Sequence, residues 1–140
     1  MRSVEVQLYR SRAQDFLQGM LLTRGDEQFC NSAALLGIHA AISYADALRI
    51  GLGEAALASE DHRTAANALY RLIPANEPSA KGGVKRLMQL IDRKSRVSYG
   101  NKRLDRSEFE LIYTHAERFA KLANDLGRSL KIEGWNDADQ

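Results

Sequence analysis

A chain of 140 residues, 44% hydrophobic and 27% charged with a formal net charge of +2, has the size and composition of a single globular domain built on one core. Its one cysteine, Cys30, excludes an internal disulfide and a thiolate metal cluster, and with no cation beside it in sequence it reads as a small buried apolar residue. No apolar run approaches the roughly 18 residues of a membrane span, and "MRSVEVQLYRSRAQD" mixes charged with apolar residues where a secretory signal would be continuously hydrophobic. A cytoplasmic protein with no membrane contact is expected.

The only obvious breaker is "PANEPSAKGG", and no segment alternates with a period of two, which makes the chain all-α. Val6, Tyr9, Ala13, Phe16, Leu17, Met20 and Leu21 recur at helical spacing and predict a first helix that ends at "RGDE" with Gly25 as its C′ residue. A second helix, from about Asp26 to Ile50 and stopped by Gly51 and Gly53, would be about 37 Å long at 1.5 Å per residue. The third is short, begins near "SEDHR" with Ser59 or Asp61 as cap, and ends before Pro74. Val84, Leu87, Met88 and Ile91 carry a fourth, which turns basic and reaches a turn at "SYGN". In the fifth, Phe109, Ile112, Tyr113, Ala116, Phe119, Ala120, Ala123 and Leu126 form one stripe behind a Ser107/Glu110 capping box. Short links favour antiparallel neighbours, so the expected architecture is an up-and-down bundle of four to five helices over residues 1–130, followed by a polar tail, 131–140, that frays or docks through Trp135 alone.

Within the second helix, Cys30, Ala33, Gly37, Ala41, Ala45 and Leu48 share a face at 100° per residue, and small side chains at i+4 steps let another backbone approach closely. His39, Ser43 and Asp46 fall nearly opposite. They do not compose a Ser-His-Asp triad, because the histidine must stand between the other two, and about 10 Å of helix rise separates His39 from Asp46. Structural hydrogen bonding at a helix or subunit interface is the expected role. His62, in "DHR", is the histidine that a second-helix aspartate would meet if the short helix folds back. His115 lies on the flank of the fifth helix's stripe and needs no functional account. Three dispersed histidines give no zinc-like spacing, and there is no Gly-rich phosphate loop; no metal and no cofactor are expected.

Between Lys81 and Arg106 there are nine basic residues against two acids, a net +7, whereas the whole chain is +2. The remaining residues are therefore net negative. Clustered Lys and Arg suit a phosphate-bearing partner through counterion release, and Tyr99 is placed to stack on a base.

The succession "ALLGIHAAISYADALRIGLG", "DHRTAANALYRL", a basic stretch ending in "SYG", and "AERFAKLAND" resembles the HEPN superfamily over about Asp26 to Asp125. The resemblance implies a helical bundle that is commonly a homodimer, in a group that includes ribonuclease toxins, RNA- or nucleotide-binding proteins, and partners of nucleotidyltransferases in toxin-antitoxin pairs. Its ribonuclease members carry an arginine four to six residues before a histidine; none of His39, His62 and His115 has one. The expectation is a non-catalytic protein that binds RNA, a nucleotide or an antitoxin-type partner through Arg93, Arg96, Tyr99, Lys102 and Arg103. The alternatives are a metal-independent ribonuclease built on His39, Asp46 and His62, and a purely structural dimer subunit.

Overall fold

Alanine and glycine at the i+4 positions of the second helix allow the other helices to close on it from several sides. The computed structural model describes residues 2–54, 61–100 and 103–135. Its elements are α1 (Arg2–Thr23), α2 (Cys30–Gly51), α3 (His62–Leu72), α4 (Pro78–Tyr99) and α5 (Arg106–Ser129), with a 3-10 turn over Glu27–Phe29 before α2. No strand occurs among the described residues. Fifteen of the 22 residues of α2 are buried, and it packs against each of the other four helices.

The end signals explain where each helix begins and stops. Asp26 does not open α2 directly: its carboxylate accepts from Gln28 N and caps the 3-10 turn, so the α-helix starts at Cys30. α1 ends at Thr23, whose hydroxyl donates to Gly19 O at 2.8 Å. Gly25 is not in the left-handed conformation; Gly53, at φ +111°, is the glycine that ends α2 in that way. Asp61 caps α3 by accepting from Thr64 N, while Ser59 lies outside the described residues. Ile73, forced out of the helical region by Pro74, terminates α3 at ψ 131°. The capping box of α5 is Asp105/Glu108, two residues before the Ser107/Glu110 pair that "SEFE" suggested. "DRSE" has the same form, and the extended backbone of Asp105 decides between them.

Helix directions follow from paired contacts. Gly37 faces Met20, and His39 lies against Phe16, which makes α1 antiparallel to α2. Asn31 donates to Val97 O, and Asp46 shares a cavity with Leu87, so α4 is antiparallel to α2. Arg63 pairs with Asp92 and Lys81 reaches Tyr70, so α4 is antiparallel to α3 as well. Consequently α2 and α3 are parallel, and strict up-and-down alternation is broken at the short helix.

Residues 132 and 135 belong to the core. Trp135 has no exposed surface; its ring stacks on Tyr44 at 6.4 Å, its Nε1 donates to Asn124 Oδ1 at 3.1 Å, and Gly127 lies flush against the indole. Ile132 packs on Gly51 in the same way. The chain after α5 thus anchors through two side chains, not Trp135 alone, and Gly134, at φ +89°, turns it against Ser3 and Val6 of α1. The last residues, 136–140, lie outside the described residues.

By length and composition the helical stretch Glu27–Gly51 is apolar enough to cross a membrane, which inspection of unbroken apolar runs did not reveal. Its apolar window is 78% buried inside the bundle, as expected of a central core helix. Cys30 is likewise buried and free.

A side chain at position 37 would have to displace the Met20 side chain of α1 and press on Ala116 of α5. A Cβ there would stand 2.5 Å from Met20 Sδ and 3.2 Å from Ala116 Cβ. Gly37→Leu is expected to lower stability by about 1 to 3 kcal/mol or more through overpacking, measured as a lower midpoint in thermal melts followed by the fluorescence of the single tryptophan.

Candidate functional site

The polar groups of α2 are occupied by packing. Ser43 is buried, and Asp46 forms an ion pair at 3.6 Å with Arg49, which is 2% exposed and also pairs with Glu54. A buried guanidinium requires such compensation, because stripping it of water costs several kcal/mol. His39 lies 5.4 Å from the Phe16 ring. His62 and Asp46 line one small cavity with Ile42, Ala45, Leu87 and Ile91. That cavity measures about 10 Å³, the space of a single water, with mostly apolar walls. His39 does not line that cavity. Burial first, and Lys94 second, hold both His39 and His62 below the ordinary imidazole pKa.

The basic segment divides into neutralised and unneutralised parts. Arg96 pairs with Glu108 of α5, Arg106 with Glu110, and Asp92 with Arg63 of α3. Arg103 donates to Gln28 O at 3.1 Å, and Arg106 to Arg24 O at 2.9 Å, tying the α4–α5 link to the α1–α2 turn. Arg24 in turn lies over the Tyr113 ring and donates to its hydroxyl at 2.6 Å. Tyr99, at 85% exposure, projects from the end of α4. Lys102 lies outside the described residues. The arginines at this end of the bundle thus serve largely as ties between elements.

Further along the α4–α5 face the balance changes. Arg86 and Arg93 of α4 and Arg118 of α5 all act electrostatically on His115, and the pairs Gly83–Leu122 and Arg96–Glu108 make these two helices antiparallel. Arg93 donates to Gln89 O of its own helix, and neither Arg86 nor Arg118 forms a hydrogen bond or ion pair among the described residues. Burial and these three cations together hold His115 below the ordinary imidazole pKa, and its Nδ1 is buried without a hydrogen-bond partner. Arg86 and Arg118 also border a groove of about 460 Å³ lined by Ala80, Leu122 and Leu126 and by the carboxylates of Glu77 and Asp125. Leu122 closes over the bare backbone of Gly83, where a Cβ would collide with it. Asp125, on the same groove, is engaged by Lys121 at 2.8 Å and Arg128 at 3.6 Å. Chemically, this face offers planar guanidinium donors to an anion beside a shallow apolar surface.

Sequence reading placed Arg93 in the cationic set but missed Arg86, Arg118 and His115 as a group. Their spacing carries no local motif, since the cluster exists only because α4 and α5 run antiparallel. Among the described residues, no group of three His, Cys, Asp or Glu side chains is arranged to hold a metal ion. No protein-family model matches the chain, and no match to it occurs among the curated proteins.

All three histidines favour the neutral form in the folded protein. The unfolded chain then binds more protons as pH falls through about 6.5, so folding stability must decline with acidification in that range. The melting temperature is expected to be lower at pH 5.5 than at pH 7.5. The triple variant His39→Gln, His62→Gln, His115→Gln should flatten that decline; an unchanged slope would place its origin elsewhere.

Proposed function

We propose that this HEPN-like bundle binds a phosphate-bearing ligand, RNA or a nucleotide, on the α4–α5 face without cleaving it. One observation carries this reading: Arg86 of α4 and Arg118 of α5 border one groove, and neither forms a hydrogen bond or ion pair among the described residues. Uncompensated like charges raise the energy of the ligand-free protein, and an arriving phosphate relieves that repulsion while accepting from the guanidinium groups. Elsewhere in the basic segment, Arg96 and Arg106 are paired with Glu108 and Glu110, and Asp92 with Arg63. The absence of an arginine at the ribonuclease spacing from any histidine favours binding over cleavage.

The test is retention of labelled single-stranded RNA by the purified protein at several salt concentrations. Log affinity should fall with log salt by about 0.7 per phosphate neutralised. Arg86→Glu with Arg118→Glu should weaken binding at least about tenfold, as expected from losing charged hydrogen bonds worth about 1.5 kcal/mol or more each. Arg96→Glu, removing a cation already neutralised by Glu108, should have a smaller effect. Fragments on a denaturing gel that disappear in His115→Ala would overturn the non-cleaving reading, and salt-insensitive absence of retention would overturn binding itself.

A further inference from the structure

The N-terminal half of α4 is bordered by two grooves, and cations line both. On the side of α5 lies the groove of Arg86 and Arg118, of about 460 Å³. On the side of α3 a second groove, of about 240 Å³, is lined by Tyr70, Ala75, Pro78, Lys81, Gly82 and Lys85. Lys85 and Arg86 are consecutive and stand about 100° apart around the helix axis. Lys85 borders the α3 groove and Arg86 the α5 groove, so this pair marks the crest between them.

The second groove has the chemistry of a stacking platform. Tyr70 is 41% exposed. Lys81 donates to Tyr70 O at 2.6 Å and lies 4.4 Å from the centre of its ring, which holds an ammonium charge against the aromatic surface. Lys85 is exposed and forms no hydrogen bond or ion pair among the described residues. Gly82 has no side chain and open space where a Cβ would stand, so a ligand can approach the helix backbone between the two lysines. The carboxylates of the first groove do not cancel these cations. Asp125 is engaged by Lys121 and Arg128. Glu77 is the N-cap residue of α4, where negative charge complements the helix dipole, and about 13 Å of helix rise separates it from Arg86.

Size decides between a free nucleotide and a chain. The larger groove is within the usual range for small-molecule sites, about 300 to 1,000 Å³, and the smaller falls below it. A mononucleotide seated on Arg86 and Arg118 leaves Tyr70, Lys81 and Lys85 unused, whereas a strand anchored there carries its next units over the crest. We propose that a single-stranded polynucleotide crosses α4 at Lys85 and Arg86, with phosphates on Arg118, Arg86 and Lys85 and one base stacked on Tyr70 beside Lys81. This deepens, and rests on, the phosphate-binding reading of the α4–α5 face. Cationic grooves that track a backbone and aromatic rings that stack its bases are the two parts such recognition needs. A duplex meets only the first, because its bases remain stacked inside the double helix.

The experiment is fluorescence anisotropy of a labelled RNA octamer titrated with the full chain, with competition by AMP, by the same octamer as DNA, and by the RNA octamer annealed to its complement. The single-stranded RNA should bind at least about tenfold more tightly than AMP and more tightly than the duplex. Tyr70→Ala should weaken octamer binding by about tenfold, as the loss of one stacked base implies, and leave AMP binding unchanged. Tyr70→Phe keeps the ring and should bind as the parent does. Lys85→Gln should lower the slope of log affinity against log salt by about 0.7, the share of one phosphate. Tyr70 and Lys85 are both exposed, and the fluorescence of Trp135 reports that each variant is folded. Equal competition by DNA would identify the ligand as any single strand, and a preference for RNA would identify the 2′-hydroxyl as a contact; either supports the crossing. An octamer bound no more tightly than AMP, a duplex that matches the single strand, or Tyr70→Ala and Lys85→Gln both without effect while Arg86→Glu with Arg118→Glu weakens binding would overturn the crossing and leave the α4–α5 reading in place. No binding by AMP or by any octamer would overturn both.

Discussion

Close approach of backbones along α2 is the constraint from which the rest of the molecule follows. Ala33, Gly37, Ala41 and Ala45 present almost no side-chain bulk, and at Gly37 both α1 and α5 come near enough that a single methyl group would meet Met20 and Ala116. Dispersion and apolar burial gain from that proximity over the length of a helix of about 33 Å, at 1.5 Å per residue. Its consequence is that a helix in the middle of the bundle has almost no surface left. The chain beyond α5 extends the same logic, with Ile132 set against Gly51 and the Trp135 indole set against Gly127.

A helix so enclosed has to neutralise whatever polar groups it carries. Arg49 finds Asp46 and Glu54, Asn31 bridges to Val97 O and Leu104 N, and Tyr44 joins Asn124 and Trp135. These groups fix helix register and leave little chemistry to spare. Charge without an internal partner lies at the periphery, α4 included. Within α4 and the link that follows, the carboxylates of α5 neutralise the C-terminal end through Glu108 and Glu110, whereas the middle of the α4–α5 face is left with Arg86, Arg93 and Arg118. Position along one pair of antiparallel helices thus separates tying arginines from receptive ones.

Sequence patterning reached the all-α class, the number of helices and the small-residue seam because each depends on periodicity within one segment. Cap residues were legible to within two positions: Asp61 was among the expected caps, and the α5 box fell at Asp105/Glu108 where Ser107/Glu110 also fits the form. Buried charge was not legible. Arg10 and Arg49 occur in helices where any arginine would be read as solvated, and only the assembled bundle covers them, with the Arg10 guanidinium 5.7 Å from the Trp135 ring centre. The excess of positive charge between Lys81 and Arg106 was visible as composition, but its distribution over pairs was not. Glu108, Gln28 and Arg63 reach the segment from other elements, and His115 enters it from a helix where its apolar neighbours suggested nothing more than packing.

The central claim is that the receptive surface is the α4–α5 face and neither the α2–α3 histidine seam nor the arginine-tied end of the bundle. It is tested most directly by nuclear magnetic resonance mapping of the ¹⁵N-labelled protein as single-stranded RNA is added. The account predicts that the largest shift changes fall on the side chains of Arg86 and Arg118, with little change at His39 or His62. Changes concentrated on His39 and His62, or on Arg96, Tyr99 and Arg103 with the α4–α5 cluster silent, would contradict it.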